Sequence, residues 1–170
     1  LTAFTNPVLG VLVGALFTGV IQSSAASVGI LQALSLTGEV TFGMSIPIIM
    51  GQNIGTCVTA LLSSIGVNKN ARRVSIVHIS FNLIGTVVFL IIFYGIGAFI
   101  KFRFLADAIS PFGIAVVHSI FNVLTTFMLL PFTKQLEKIA YFVIKEDGKK
   151  EENELLDERL LSTPSIAIAR

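Results

Sequence analysis

Charge is missing from long stretches of this chain, and that pattern constrains the fold more than any motif. Glu39 is the only charged residue before Lys69, the run 74–100 carries none, and most of the others lie beyond residue 133. Only 13% of the residues are charged and 54% are hydrophobic, with a mean hydropathy of +0.86. Soluble domains run near a quarter charged. One soluble helix can be apolar all round, but a whole soluble chain needs polar residues to cover its surface. The pattern belongs to an all-α integral membrane protein. The net charge of +2 matters less than where its basic residues lie. The single cysteine, Cys57, excludes an internal disulfide and a cysteine-based zinc site. Leu1 opens without a basic region or cleavage pattern, so a signal peptide is not expected and a fragment of a longer protein is.

Two stretches read as plain spanning helices, 74–100 and 109–132, each able to cross roughly 30 Å of hydrocarbon. Pro111 suits the first turn of the second. The stretches 7–36 and 41–65 are also apolar, but each is interrupted at its centre. Gln22, Ser23 and Ser24 interrupt the first, and "GQNIGT" from Gly51 to Thr56 interrupts the second. Glycines around Asn53 predict local unwinding and hence a broken helix over 41–65. Irregular backbone at membrane depth persists only inside protein or beside a wet cavity, and paired interruptions point to a transporter site. Each half of 7–36 has about 14 residues, roughly 21 Å of helix, too short to span. A re-entrant hairpin with Gln22 to Ser24 at its tip is expected, with a continuous broken helix as the alternative.

Charge sets the orientation. The loop 68–73 carries Lys69, Arg72 and Arg73, and basic loops stay in the cytoplasm. Glu39 and the loop from Lys101 to Asp107 then face the exterior, and the tail from Lys134 is cytoplasmic. The expected location is the cytoplasmic membrane, with several passes. After a transporter unit over 1–133, Leu136, Ile139, Ala140 and Val143 repeat at helical spacing, so 134–154 reads as an interfacial helix and charged linker. A new helix is expected near Thr163 and Pro164, within a domain starting over 155–170.

The polar interruptions suggest chemistry. A half-helix starting after Gln22 to Ser24 aims its positive end and free N–H groups at the break, which suits an anion. The preceding half ends near Ile21 with carbonyls that suit sodium. Asn53 and Thr56 repeat the arrangement, with the carbonyls of Met50 and Gly51 opposite. Neither break holds Lys, Arg, Asp or Glu, so co-bound cations are the economical balance for an anion. The bland alternative is that Ser, Gln and Asn hold helices together. "VHISFNLIGT" and "VHSIFNVLTT" place His78 with Asn82 and His118 with Asn122, four apart and on one helix face. These pairs serve either packing between related helices or contact with an ion or substrate. No nucleophile–base pair or metal cluster stands out, so an enzyme is not expected.

"IQSSAAS" at 21–27, "PIIMGQNIGTCVTALLSSIGVNKNARRVSIVHISFN" at 47–82 and "VHSIFN" at 117–122 resemble the bacterial branch of the sodium-dependent phosphate cotransporters. The resemblance covers nearly all of 8–132. It implies one inverted-repeat unit of a secondary transporter, the second of two, with "LDERLLSTPSIAIAR" leading into a PhoU-like helical domain. It implies phosphate and sodium at Gln22, Ser23 and Ser24, completed by Asn53 and Thr56, with Gly51 and Gln52 among the sodium contacts. Two departures stand out: Ala25 takes the place of a third serine, and Gln52 takes the place of an alanine. No cofactor is implied beyond sodium as coupling ion. The implied partners are inorganic phosphate, the bilayer and the missing first repeat; a homo-oligomer stays open and nucleic acid is not expected. The rivals are a carrier of another small anion and a membrane anchor or regulator for the cytoplasmic domain.

Overall fold

The computed structural model describes residues 6–145. Among them the chain forms six α-helices: α1 (Pro7–Ile21), α2 (Ser24–Ser35), α3 (Phe42–Ser63), α4 (Lys69–Phe99), α5 (Pro111–Leu129) and α6 (Thr133–Val143). Short 3-10 turns occupy Arg103–Ala106 and Leu130–Phe132. The linker beyond Lys145 and the domain expected over 155–170 lie outside the described residues.

The first polar interruption is a helix stop followed at once by a helix start. Gln22 closes α1 in the left-handed region, at φ 58° and ψ 22°, and its N–H donates to the Thr18 carbonyl at 2.7 Å. Ser23 caps α2, its hydroxyl accepting the Ala26 N–H at 3.3 Å. The two helices then run in opposite senses along α3. Gly10 packs on Pro47 and Gly19 on Val58, so α1 is parallel to α3. Ser27 reaches Gln52 and Leu31 packs near Ile49, so α2 is antiparallel to it. At 1.5 Å per residue the arms are about 22 and 18 Å long, short of the roughly 30 Å needed to span.

The second interruption differs from expectation. α3 is one continuous helix through Gly51 to Thr56, not a broken one. Its glycines serve close approach instead of unwinding. A Cβ on Gly51 would collide with the Val11 carbonyl, and one on Gly55 would lie 2.5 Å from the Ala15 carbonyl oxygen. Gly10 and Gly14 meet α3 from the other side, so both helices carry glycines four apart at one crossing. The polar side chains also bond to their own helix: Asn53 Nδ2 donates to the Ile49 carbonyl at 3.1 Å and Thr56 Oγ1 to the Gln52 carbonyl at 2.9 Å. The Met50 carbonyl, expected to be free, accepts the Thr86 hydroxyl of α4 at 3.4 Å.

α4 begins earlier than expected. Asn68 caps it by accepting the Ala71 N–H at 2.9 Å, so Lys69, Arg72 and Arg73 lie in its first turns, not in a loop. α5 starts at Pro111, capped by Ser110, and Pro131 shapes the 3-10 turn that carries the chain into α6. Among the described residues, three helical stretches are long and apolar enough to cross a membrane: Phe42–Ser63, Lys69–Phe99 and Pro111–Val143. α3 is central: Ile49 packs with Ile109 and Ile114 on one side, and Ile46 and Met50 pack with Phe121 on another.

The charges collect at the two ends. Phe42 N–H donates to the Asp107 carbonyl at 3.1 Å and Ile109 N–H to the Val40 carbonyl at 2.9 Å, which brings Glu39 beside the 101–107 connection. At the opposite end Arg73 donates from Nε and Nη2 to the Ile144 carbonyl, at 3.2 and 3.1 Å, with its guanidinium 4.0 Å over the Tyr141 ring. Between these ends the outer surface is apolar, with Val20, Ile91, Phe112 and Phe127 all exposed. Such a surface suits lipid, and the chain is a membrane protein.

Candidate functional site

Four helices meet around a cavity of about 320 Å³. Ser24, the first residue of α2, lines it beside Asn53 and Thr56 of α3. His78, Phe81 and Asn82 come from α4, and His118 and Asn122 from α5. Each element presents its residues for a local reason. The stop at Gln22 and the cap at Ser23 bring the first turn of α2 to the wall, with the N–H groups of Ser24 and Ala25 ahead of the helix's own ladder. Three-residue spacing puts Asn53 and Thr56 on one face of α3, and four-residue spacing does the same for each His–Asn pair.

The amides of the cavity are partly committed. Asn82 Nδ2 donates to the His78 carbonyl at 3.0 Å, and Asn122 Nδ2 to the His118 carbonyl at 2.8 Å. Asn53 Nδ2 is likewise tied to its own helix. The lining holds hydroxyl, amide and imidazole groups but no Asp, Glu, Lys or Arg. Among the described residues no group of three or more His, Cys, Asp or Glu could hold a metal ion. The arrangement offers oriented donors, a helix N-terminus and two imidazoles, a set suited to an oxyanion.

The other residues expected at the site lie away from this cavity. Gln22 is exposed at the break, Ser23 serves as cap, and Gly51 lies against Val11 and Ala15. Gln52 is 2% exposed and turns toward the other arm, where Nε2 donates to Ser27 Oγ at 2.9 Å. Ser27 Oγ lies 2.7 Å from Thr18 Oγ1, so the three side chains form a buried polar network beside the break. Gln52 Oε1 is buried and has no partner there. The network borders a second cavity of about 350 Å³ between the arms and α3, walled mainly by Val13, Phe17, Ile30, Leu34 and Ile48. Ala25, where a third serine was expected, is exposed and lines neither cavity.

Sequence reasoning did not single out Thr18, Ser27 or Phe81. Phe81 carried a signal, since it is the aromatic member of the first His-x-x-Phe-Asn segment. Thr18 and Ser27 flank the break nine residues apart, a pairing that shows only once the chain is known to fold back there.

Comparison with known proteins gives a consistent result. The profile of the Na+/Pi-cotransporter family matches residues 1–120. Relatives include an uncharacterized protein of Bacillus subtilis, YqeW, 27% identical over 133 residues that make up 78% of this chain and 42% of the relative. Another, of Salmonella typhimurium, is named "Putative inorganic phosphate export protein YjbB" and is 27% identical over 95% of this chain and 30% of its own length. The rat "Sodium-dependent phosphate transport protein 2A" is 39% identical over 92 residues, 51% of this chain and 14% of the relative. The chain thus spans less than half the length of these curated relatives. No solved structure matches it significantly.

Proposed function

The chain belongs to the Na+/Pi-cotransporter family, and from that premise we propose that it forms one half of a secondary transporter that moves inorganic phosphate with sodium across the cytoplasmic membrane. The observation that carries the reading is the uncharged polar cavity where Ser24, Asn53 and Thr56 meet both His–Asn pairs between apolar helices. Phosphate is taken there by the N-terminal end of α2, the Ser24 hydroxyl and the second N–H of the Asn53 amide, with Thr56 joining once its hydroxyl turns from the Gln52 carbonyl to the anion. Sodium is assigned to the oxygens beside the break, from Gln22, Ser23 and Gln52. The unpartnered Gln52 Oε1 is the first of these, because a buried carbonyl oxygen without a donor is costly until something fills it.

In this reading α1 and α2 are a re-entrant hairpin of one inverted-repeat unit, and α4 and α5 are its scaffold. The missing part of the relatives' length supplies the other repeat. Alternating access carries the hairpin tip past the scaffold, binding and releasing the anion without covalent chemistry. The basic first turns of α4 and the end of α6 face the cytoplasm, where the tail toward a PhoU-like domain continues. The name of the YjbB relative favours a second reading of direction, export in place of uptake.

The test is flux of radiolabelled phosphate in proteoliposomes of the full-length protein, in both directions, with sodium replaced by choline in parallel. The expected outcome is sodium-dependent flux, competed by unlabelled phosphate and insensitive to small carboxylates. Flux that ignores sodium sinks the coupling. Carboxylate transport without phosphate transport sinks the substrate.

A further inference from the structure

We propose that His78 and His118 balance the charge of the anion in the cavity, each imidazole taking a proton from water as the anion enters. The proposal rests on the phosphate reading above and adds to it residues that supply positive charge inside the cavity, besides the sodium assigned beside the break.

The cavity lacks a permanent cation. Its wall holds no Lys or Arg, and moving an anion from water into a cavity between apolar helices without a counter-charge is unfavourable. The start of α2 offers a partial charge of about half a unit, which is not enough for a phosphate. His78 on α4 and His118 on α5 are the lining side chains whose protonated form is a cation. Among the described residues neither imidazole has a hydrogen-bond partner, so all four ring nitrogens are uncommitted. Asn82 and Asn122 each donate to the backbone carbonyl of the histidine one turn earlier, which stiffens the two helical turns that carry the rings.

A neutral imidazole presents one donor and one lone pair, and a lone pair facing an anion repels it. Protonation turns both nitrogens into donors and adds the missing charge. The elements around the cavity add no competing acid or base. α2 brings no titratable side chain to it, and α3 brings near it only Cys57, whose Sγ lies 3.8 Å from the His78 carbonyl oxygen. Arg73, earlier on α4, is held by Ile144, Asn70 and Tyr141 at the end of the molecule. The two imidazoles line one cavity. One proton matches a singly charged anion and two match a doubly charged one.

The experiment is equilibrium binding of radiolabelled inorganic phosphate to the full-length protein in detergent, at pH 6 and pH 8. Wild type is compared with the double variant His78→Gln, His118→Gln and with each single variant. The ionisation of phosphate itself is common to all of them and cancels in the comparison. For wild type, Kd is expected to weaken by about tenfold or more from pH 6 to pH 8 relative to the double variant, as linkage of at least one proton requires. Each single variant is expected to lie between. Equal pH profiles for wild type and double variant overturn the proposal, as does absence of phosphate binding to wild type at pH 6. Should the double variant fail to elute as a single species, the singles decide by the same criterion. Binding with the expected pH profile but no flux in proteoliposomes would retire the transport reading and leave this one standing.

Discussion

At Gln22 one residue ends a helix that its own composition would let continue. Its φ of 58° is the only positive value among the described non-glycine residues. That conformation costs roughly 1–2 kcal/mol for a residue with a Cβ and more for a β-branched one. Replacement therefore separates backbone from side chain. Gln22→Gly is expected to leave the melting temperature in detergent unchanged or slightly raised, while Gln22→Val lowers it. If the amide ligates sodium, Gln22→Gly also weakens the sodium dependence of flux despite intact folding; unchanged sodium dependence removes Gln22 from the ion site. This residue was legible as a candidate break because three adjacent polar side chains in an apolar run serve either an interruption or helix packing, and each half of the run is too short to span. Its left-handed backbone was not legible, because the chain prescribes only that something must stop α1.

On the scale of elements, α3 corrects the reading of "GQNIGT". Glycine beside asparagine permits unwinding, but it equally permits a second helix to lie close, and sequence alone does not separate these uses. The decisive fact is α1: Gly51 lies against its Val11 and Ala15 and Gly55 against its Ala15 and Gly19, while its Gly10 and Gly14 lie against Pro47 and Ile48 of α3. Gly51→Leu is expected to destabilise the protein by about 1–3 kcal/mol or more by forcing the helices apart. Gly29→Leu, with nothing within 4 Å of its added Cβ, should be neutral. Thermal melts of the two variants in one detergent check the contrast, and equal stability of both would mean that α1 and α3 are not in contact. The polar residues of this segment were legible only in part: Asn53 and Thr56 reach the cavity, while Gln52 turns to Thr18 and Ser27 on the hairpin side.

For the whole molecule, the segregation of charge has a direct consequence. Glu39 and Arg103 lie at one end, and Arg72 and Lys138 belong to the helices whose ends meet at Arg73 and Ile144. Single cysteines at Glu39 and Arg103 are expected to react with an impermeant maleimide in intact cells. Cysteines at Arg72 and Lys138 should react only after permeabilisation. The native Cys57 is 3% exposed and gives little background. Labelling of Glu39 and Arg103 from different sides would contradict the fold, and reversal of all four would invert the orientation.

By itself the sequence determined that this is a membrane chain, where its apolar helices lie, and that polar residues interrupt the first of them at Gln22 to Ser24. Those conclusions follow from composition and local propensity, which act within a few residues. Only the tertiary structure decided that α3 stays whole, that Gln52 turns away from the polar cavity, and that both His–Asn pairs join Ser24, Asn53 and Thr56 around it. The histidines were readable as either packing or contact, because helical periodicity fixes the face of one helix and not which faces of four helices converge. Convergence is a property of packing between segments far apart in the chain, and it is there that the site is made.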